Sequence, residues 1–250
     1  MNIRPHTGEV ALVTGANKGI GREIAWRLSV EGMTVYLGAR DESRGKAAAA
    51  ELAKDGGDVR FVLLDVTDAA QVQAAADRVA EESQRLDALV NNAGVVSEWG
   101  TEVPDVSVDQ MRRTYEVNVF GVVAVTRAFL PLLRRSQAPR VVNVSSPLGS
   151  LQLMSDPGSL VASRGMLAYG SSKTALNSIT KLYSNALRGE GIRVNAVNPG
   201  YVATDLNDHR GVLTVAQGAE IPVKMALLRG GGPTGVFVGV TDGVDHVLPW

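Results

Sequence analysis

A tyrosine and a lysine four residues apart, Tyr169 and Lys173, stand on a stretch that reads as helix, downstream of a strand-like run ending in Ser145-Ser146. Positions i and i+4 share a helix face, so the phenol and the ammonium point into the same space. An unperturbed phenol titrates near ~10 and is a poor proton donor or acceptor at neutral pH. A cation beside it favours the phenolate and lowers that value. Such a pair could protonate a carbonyl as it is reduced. The same spacing is also what an exposed tyrosine and a solvated lysine would give, so the rest of the chain has to decide.

The pair needs a scaffold, and the chain supplies a regular one. Short valine-rich runs at 10–13, 34–37, 59–64, 88–90, 141–144, 194–197 and 236–238 have the composition of strands covered on both faces. Between them, Ile20, Ile24 and Leu28 lie at i, i+4 and i+8, and 47–52, 72–79, 111–133 and 176–187 carry apolar helical faces. Strand–helix alternation demands crossovers. It predicts an α/β chain with one doubly wound Rossmann domain over 1–250, its parallel seven-stranded sheet flanked by helices on both faces. No proline- or glycine-rich linker divides it, and Gly230-Gly231-Gly232-Pro233 reads as a loop before the last strand.

Composition narrows the chemistry. The 250 residues are 45% hydrophobic and 20% charged with a net charge of −1, which points away from disorder and from a nucleic-acid footprint. The absence of cysteine excludes disulfides, a thiolate nucleophile and cysteine-ligated metal. His6, His209 and His246 are scattered without metal-ligand spacing, so they are expected on the surface or in loops and no metal is expected. No apolar run is expected to span a membrane, and the first residues lack a signal-peptide core, so the cytoplasm is the expected location.

After the first strand comes Thr14-Gly15-Ala16-Asn17-Lys18-Gly19-Ile20-Gly21, then a helix. The G-x-G-x-x-G expression does not match. The physical demand does: backbone must turn sharply, approach a pyrophosphate and start a helix whose amides point at it. The adenosine ribose is read at the end of the second strand, Gly38-Ala39-Arg40, where NAD sites place an acid. Here position 39 has none and Arg40 follows, with Lys18 on the phosphate loop; two cations suit a 2′-phosphate, so NADPH/NADP+ is expected rather than NAD(H). Asp41 falls one position too late for the acid role.

With that loop, Asn91-Asn92-Ala93-Gly94 after the fourth strand, Asn118 in the long helix, Ser146, Tyr169 and Lys173, the chain resembles the short-chain dehydrogenase/reductase family over nearly its whole length. The glycine-loop wording, a long segment at 147–168 and the ending Gly235-Val236-Phe237-Val238 with Trp250 look most like the carbonyl-reductase branch. The resemblance implies a catalytic set of Asn118, Ser146, Tyr169 and Lys173. Ser146 and Tyr169 would bind the substrate carbonyl, Tyr169 would deliver the proton, Lys173 would bind the ribose and bias Tyr169, and Asn118 would fix a relaying water. Of the two serines, alternation along the strand and the family register favour Ser146. The cofactor would lie on Gly15, Asn17, Lys18, Gly19, Ile20, Gly21, Arg40, Asp65, Val66, Asn91, Ala93, Gly94, Tyr169, Lys173, Pro199, Gly200, Val202 and Thr204.

By position, the substrate pocket would draw on Val95, Val96, Trp99, Pro147, Leu148, Met154, Met166, Tyr201 and the stretch 206–219. With no cationic residue among the apolar ones, a neutral, fairly hydrophobic ketone or aldehyde is the expected small-molecule partner. The insertion 147–168 and a helix over 204–228, interrupted by Pro222, are expected to lie over the pocket as lid-like elements. The expected function is NADPH-dependent carbonyl reduction or the reverse alcohol oxidation. A catalytically inactive NADP(H)-binding sensor, or epimerisation or dehydration on the same scaffold, stand as alternatives. No nucleic-acid or membrane partner is expected, and a homo-oligomer, dimer or tetramer, is favoured with a monomer left open.

Overall fold

Strands that are valine-rich on both faces can be buried only between two helix layers, and that requirement sets the architecture. The structure, a computed structural model, describes residues 5–241 and 244–250. The strands are β1 (Val10–Thr14), β2 (Thr34–Ala39), β3 (Asp58–Leu63), β4 (Ala88–Asn91), β5 (Arg140–Val144), β6 (Arg193–Asn198), β7 (Phe237–Thr241) and β8 (Val244–Val247). They form one sheet in the order β3-β2-β1-β4-β5-β6-β7-β8. The first seven run parallel; β8 adds antiparallel to β7, with Gly239 opposite His246. The expected seven-stranded sheet therefore has an eighth strand at its edge. Asp245-His246 is exposed and breaks any buried-strand pattern there, which is why the run gives no signal.

The helices are α1 (Gly19–Val30), α2 (Glu42–Ala53), α3 (Ala69–Ser83), α4 (Val108–Tyr115), α5 (Val122–Leu133), α6 (Leu151–Ser155), α7 (Leu167–Leu187) and α8 (Val215–Ala226). Side-chain alternation divides the core. Val13, Leu37 and Val142 pack with Ile24, Leu28 and Ile221 of α1 and α8, while Leu12, Leu89 and Val141 pack with Val72, Phe129 and Leu187 of α3, α5 and α7. Starts are set locally: Asp41 and Asp68 cap α2 and α3, and capping boxes Ser107/Gln110 and Thr214/Gln217 open α4 and α8.

Three expectations need correction. The helix 108–133, in which α4 passes through a π-helical turn Glu116–Gly121 into α5, is long and apolar enough to cross a membrane by length and composition. Half of its apolar window is buried in the fold, where Val125, Phe129 and Leu133 are fully covered by the sheet layer. The helix expected over 204–228 is only α8. Asp208 and His209 adopt left-handed backbone at φ 51° and 58°, which stops helix propagation, and 201–213 folds back on itself through the Val202–Leu213 bridge. His6 is not a surface residue: it is buried, with Nδ1 3.0 Å from Glu9 Oε1. His209 and His246 are exposed as expected.

Candidate active site

The C-terminal ends of β1, β4, β5 and β6 open into a cavity of about 480 Å³, on either side of the β1/β4 pairing where the strand order reverses. The glycine loop forms its floor. Gly15 and Gly19 have φ of 63° and 55°, and a Cβ on Gly21 would lie 2.4 Å from Asn92 Nδ2, so side chains are excluded at all three. Asn92 braces this loop, its Nδ2 donating to Thr14 O at 2.9 Å and Gly15 O at 3.2 Å. Lys18, at the N-cap of α1, makes no side-chain capping bond, and the first turn holds no acid. Helices α2, α3, α4 and α8 are all capped by their own Asp, Ser or Thr. The N-terminus of α1 thus faces the cavity with amides that no side chain satisfies, which is what an anionic pyrophosphate requires.

Of the expected cofactor residues, Gly15, Asn17, Lys18, Gly19, Ile20, Gly21, Arg40, Asp65, Val66, Ala93, Gly94, Pro199, Gly200, Val202 and Thr204 line the cavity with Tyr169 and Lys173. Asn91 does not. It is buried on the other side of β4, donating to Thr126 Oγ1 and Asn143 Oδ1, because alternation sends Asn91 and Asn92 to opposite faces. Arg40 is exposed and makes no ion pair among the described residues, whereas Asp41 is occupied as the α2 cap, accepting from Arg44 N at 2.9 Å. Lys18 is less free than expected: its ammonium lies 2.6 Å from Asp205 Oδ2, and His209 Nε2 lies 3.0 Å from the other oxygen of the same carboxylate.

Tyr169, Ser146 and Lys173 converge at the inner end. The Ser146 hydroxyl and the Tyr169 phenol both line the cavity, and the serine favours the ionised phenol. Ser145 turns into the core instead, donating to Asn177 Oδ1 at 2.6 Å. Lys173 is buried, donates to Val144 O at 2.8 Å, and its Nζ stands 5.5 Å from the Tyr169 ring centroid. Helix α7 reaches this position because Gly149 lets it: a Cβ there would lie 2.5 Å from the Lys173 carbonyl carbon. Desolvation acts on the phenol as well as the proximity of Lys173. Burial dominates and pushes Tyr169 up to about 12, with Ser146 pulling the other way, and burial likewise brings Lys173 down to about 8.

Asn118 is not at the cavity wall. It is fully buried in the π-helical turn, its amide donating to Val95 O and Ser172 Oγ and its Oδ1 accepting from Val95 N. Both amide hydrogens are used in this way, and they hold the segment that carries Val95 against Ser172 of α7.

Val95, Val96, Trp99, Leu148, Met166 and Tyr201 form the apolar end of the cavity. Pro147 and Met154 do not reach it: Pro147 opens the 3-10 turn Pro147–Gly149, and Met154 sits on α6 with its side chain toward solvent. Only the two ends of 147–168, Leu148 and Met166, touch the cavity. The cover is instead the folded-back segment 201–209, with Leu206 O accepting from Trp99 Nε1 at 2.8 Å. Asn92 and Asp205 were not foreseen, since nothing in their local sequence marks a brace or a cross-cavity ion pair.

The family model for short chain dehydrogenases matches residues 9–211. The chain belongs to the short-chain dehydrogenase/reductase family. It is 36% identical to (−)-isopiperitenone reductase of Mentha piperita, over 91% of this chain and 95% of that one. It is 35% identical to (+)-neomenthol dehydrogenase of Arabidopsis thaliana, over 89% and 92%. The NADPH-bound carbonyl reductase from chicken fatty liver superposes with a TM-score of 0.84 at 28% identity, over 99% of this chain and 100% of that one. As a short-chain dehydrogenase/reductase the chain is an oxidoreductase acting on alcohol or carbonyl groups. Its cavity brings together the Tyr169 phenol, the Ser146 hydroxyl, buried Lys173 and the uncapped N-terminus of α1.

Proposed function

We propose that this short-chain dehydrogenase/reductase transfers hydride between NADP(H) and a neutral, fairly hydrophobic ketone or aldehyde, with Tyr169 as proton donor and acceptor. The observation that carries this reading is the convergence of Ser146, Tyr169 and buried Lys173 on one cavity, at its apolar end, with the uncapped α1 at the other end. When bound, a dihydronicotinamide supplies the hydride. The chain's own residues do the rest. Tyr169 and Ser146 donate hydrogen bonds to the carbonyl oxygen, Tyr169 releases its proton as negative charge develops there, and the Lys173 ammonium stabilises the phenolate left behind. The pocket walls Val95, Trp99, Leu148, Met166 and Tyr201 bring no charge to the reacting carbon, which favours a neutral substrate. The experiment that tests the reading is a panel of neutral and acidic ketones, aldehydes and alcohols followed by NADPH absorbance; turnover of acidic carbonyls only, or of none with cofactor bound, would reject it.

The NADP preference rests on Arg40, which has no partner among the described residues, and on Asp41, which is turned into a helix cap. A 2′-phosphate would gain charge-assisted bonds from the guanidinium. Arg40→Ala is expected to weaken NADPH binding by roughly 10- to 100-fold, the worth of a hydrogen bond to a charged group. NADH binding should stay within about twofold. Equal losses for the two cofactors, measured by fluorescence titration, would remove the assignment.

The phenol, pushed up to about 12, gives the pH dependence a sign. Its protonated form is the donor for reduction, so carbonyl reduction stays flat across neutral pH. Alcohol oxidation needs the phenolate, whose fraction grows about tenfold per pH unit below the pKa. Oxidation kcat/KM should therefore climb at about that slope until the pH passes about 8, where Lys173 loses its charge and the slope falls. Parallel pH profiles of the two directions check this.

A further inference from the structure

We infer that Glu98 is a positioning residue for proton transfer, holding Tyr169 in place by capping α7 from the loop that lines the substrate end of the cavity. Helix α7 carries both Tyr169 and Lys173 yet has no cap of its own. Its N-cap position is Met166, which makes no side-chain capping bond. Of the amides in its first turn, that of Gly170 is satisfied by Met166 O at 2.8 Å. Those of Ala168 and Tyr169 donate to the two oxygens of the Glu98 carboxylate, at 2.9 Å and 2.6 Å, across 70 and 71 residues of sequence. The carboxylate is only 2% exposed, so its position is set by these bonds rather than by water. Taking a carboxylate out of water is costly, and the positive end of a helix with two charge-assisted bonds offsets that cost.

A local serine, threonine or aspartate at 166 would satisfy the same amides, as one does at the starts of α2, α3, α4, α6 and α8. A distant cap does more: it ties the rise and rotation of the first turn of α7 to the segment 95–99. That segment is itself fixed on several sides. Asn118 grips Val95, Ser97 Oγ bonds Gln110 O at 2.7 Å and Thr114 Oγ1, and Trp99 reaches Leu206 O in the cover. Glu98 is the residue through which this braced pocket wall holds the backbone nitrogen of Tyr169. It touches no reacting atom, and it acts through the tyrosine. The consequence for chemistry is geometric, because a displacement of about 1 Å in a reacting group can cost on the order of 100-fold in rate.

This inference rests on the reading of Tyr169 as the proton donor, so Tyr169→Phe is measured beside it. Glu98→Gln keeps the shape, but its amide NH2 faces a helix N–H, so one of the two amides loses its acceptor. Its kcat for carbonyl reduction, counted per NADPH-binding site by fluorescence titration, is expected to fall about 10- to 100-fold, with NADPH affinity within about twofold. Glu98→Asp, which keeps the charge and can still accept from one amide, should fall between parent and Glu98→Gln; it serves as the test alone if the amide variant does not fold. A kcat per site within about twofold of the parent overturns the inference, including when the melting temperature drops, since that is the signature of a purely structural cap. Near-normal turnover by Tyr169→Phe would instead sink the reading of the site itself.

Discussion

Replacing Tyr169 by Phe is expected to lower kcat by about a thousandfold, within the 10²–10⁴ range of positioned acid–base groups, while NADPH affinity stays within about twofold. The ring is retained, so the packing of α7 against Gly149 and the place of Lys173 over that ring are unchanged. What is removed is the hydroxyl that shares the cavity wall with Ser146. The serine alone still offers one donor to a carbonyl oxygen, but the proton must then come from water. Because the loss occurs as charge develops on that oxygen, it should appear in kcat rather than in cofactor binding. Single-turnover oxidation of bound NADPH separates the two, and near-normal turnover would refute the role.

Much of this site was legible because its requirements are local. A strand covered on both faces must be valine-rich, a phosphate loop must lack side chains, and a helix brings i and i+4 together. The residues misplaced from sequence are those whose surroundings come from far along the chain. Asn91 and Asn92 are chemically identical, and only the pairing of β4 with β5 decides which one turns inward to Asn143. Nothing local to Asn118 signals that its carboxamide is tied to Val95 and Ser172. The phenol of Tyr169 reads as lowered by its lysine, because spacing reports proximity and says nothing of desolvation, which in the fold is the larger effect. The cover over the pocket reads as part of a helix over 204–228 interrupted at Pro222; the left-handed turn at Asp208 and His209 appears only once Val202 and Leu213 pair. Glu98 and Arg140 were invisible for the same reason, since a buried charge is recognisable only by its partners.

Arg140 gives the second large effect, at the other end of the strand that leads to Ser146. It is 1% exposed, and its guanidinium donates to Ala226 O, Ala138 O and Glu9 Oε2, joining β5 to the end of α8 and to the residue before β1. Glu9 also meets His6 at 3.0 Å and Arg229 at 3.4 Å. Burial alone would raise the Glu9 carboxyl, but the Arg140 hydrogen bond and charge, helped by His6, hold it below its ordinary 4.5. Arg140→Met fills the space but leaves that carboxylate with only His6 and the longer Arg229 contact and two carbonyls without this donor; breaking a buried pair from one side costs about 3–5 kcal/mol. For a chain of this length that is a fall in Tm of roughly 6–20 °C. A depressed carboxyl stabilises the fold above its unfolded pKa and loses that contribution as the pH falls through the folded value. The parent therefore loses this increment in acid, while in the variant protonation relieves the stranded charge. The gap in Tm should be widest at neutral pH and narrow below about 4.5, and Glu9→Gln/Arg140→Met should recover part of it. Since the cavity opens at the opposite end of β5, kcat measured well below the variant's Tm should stay within about twofold of the parent. Thermal unfolding across pH, with kcat on the same samples, tests both halves; a deficit independent of pH would show that the loss is packing rather than the stranded carboxylate.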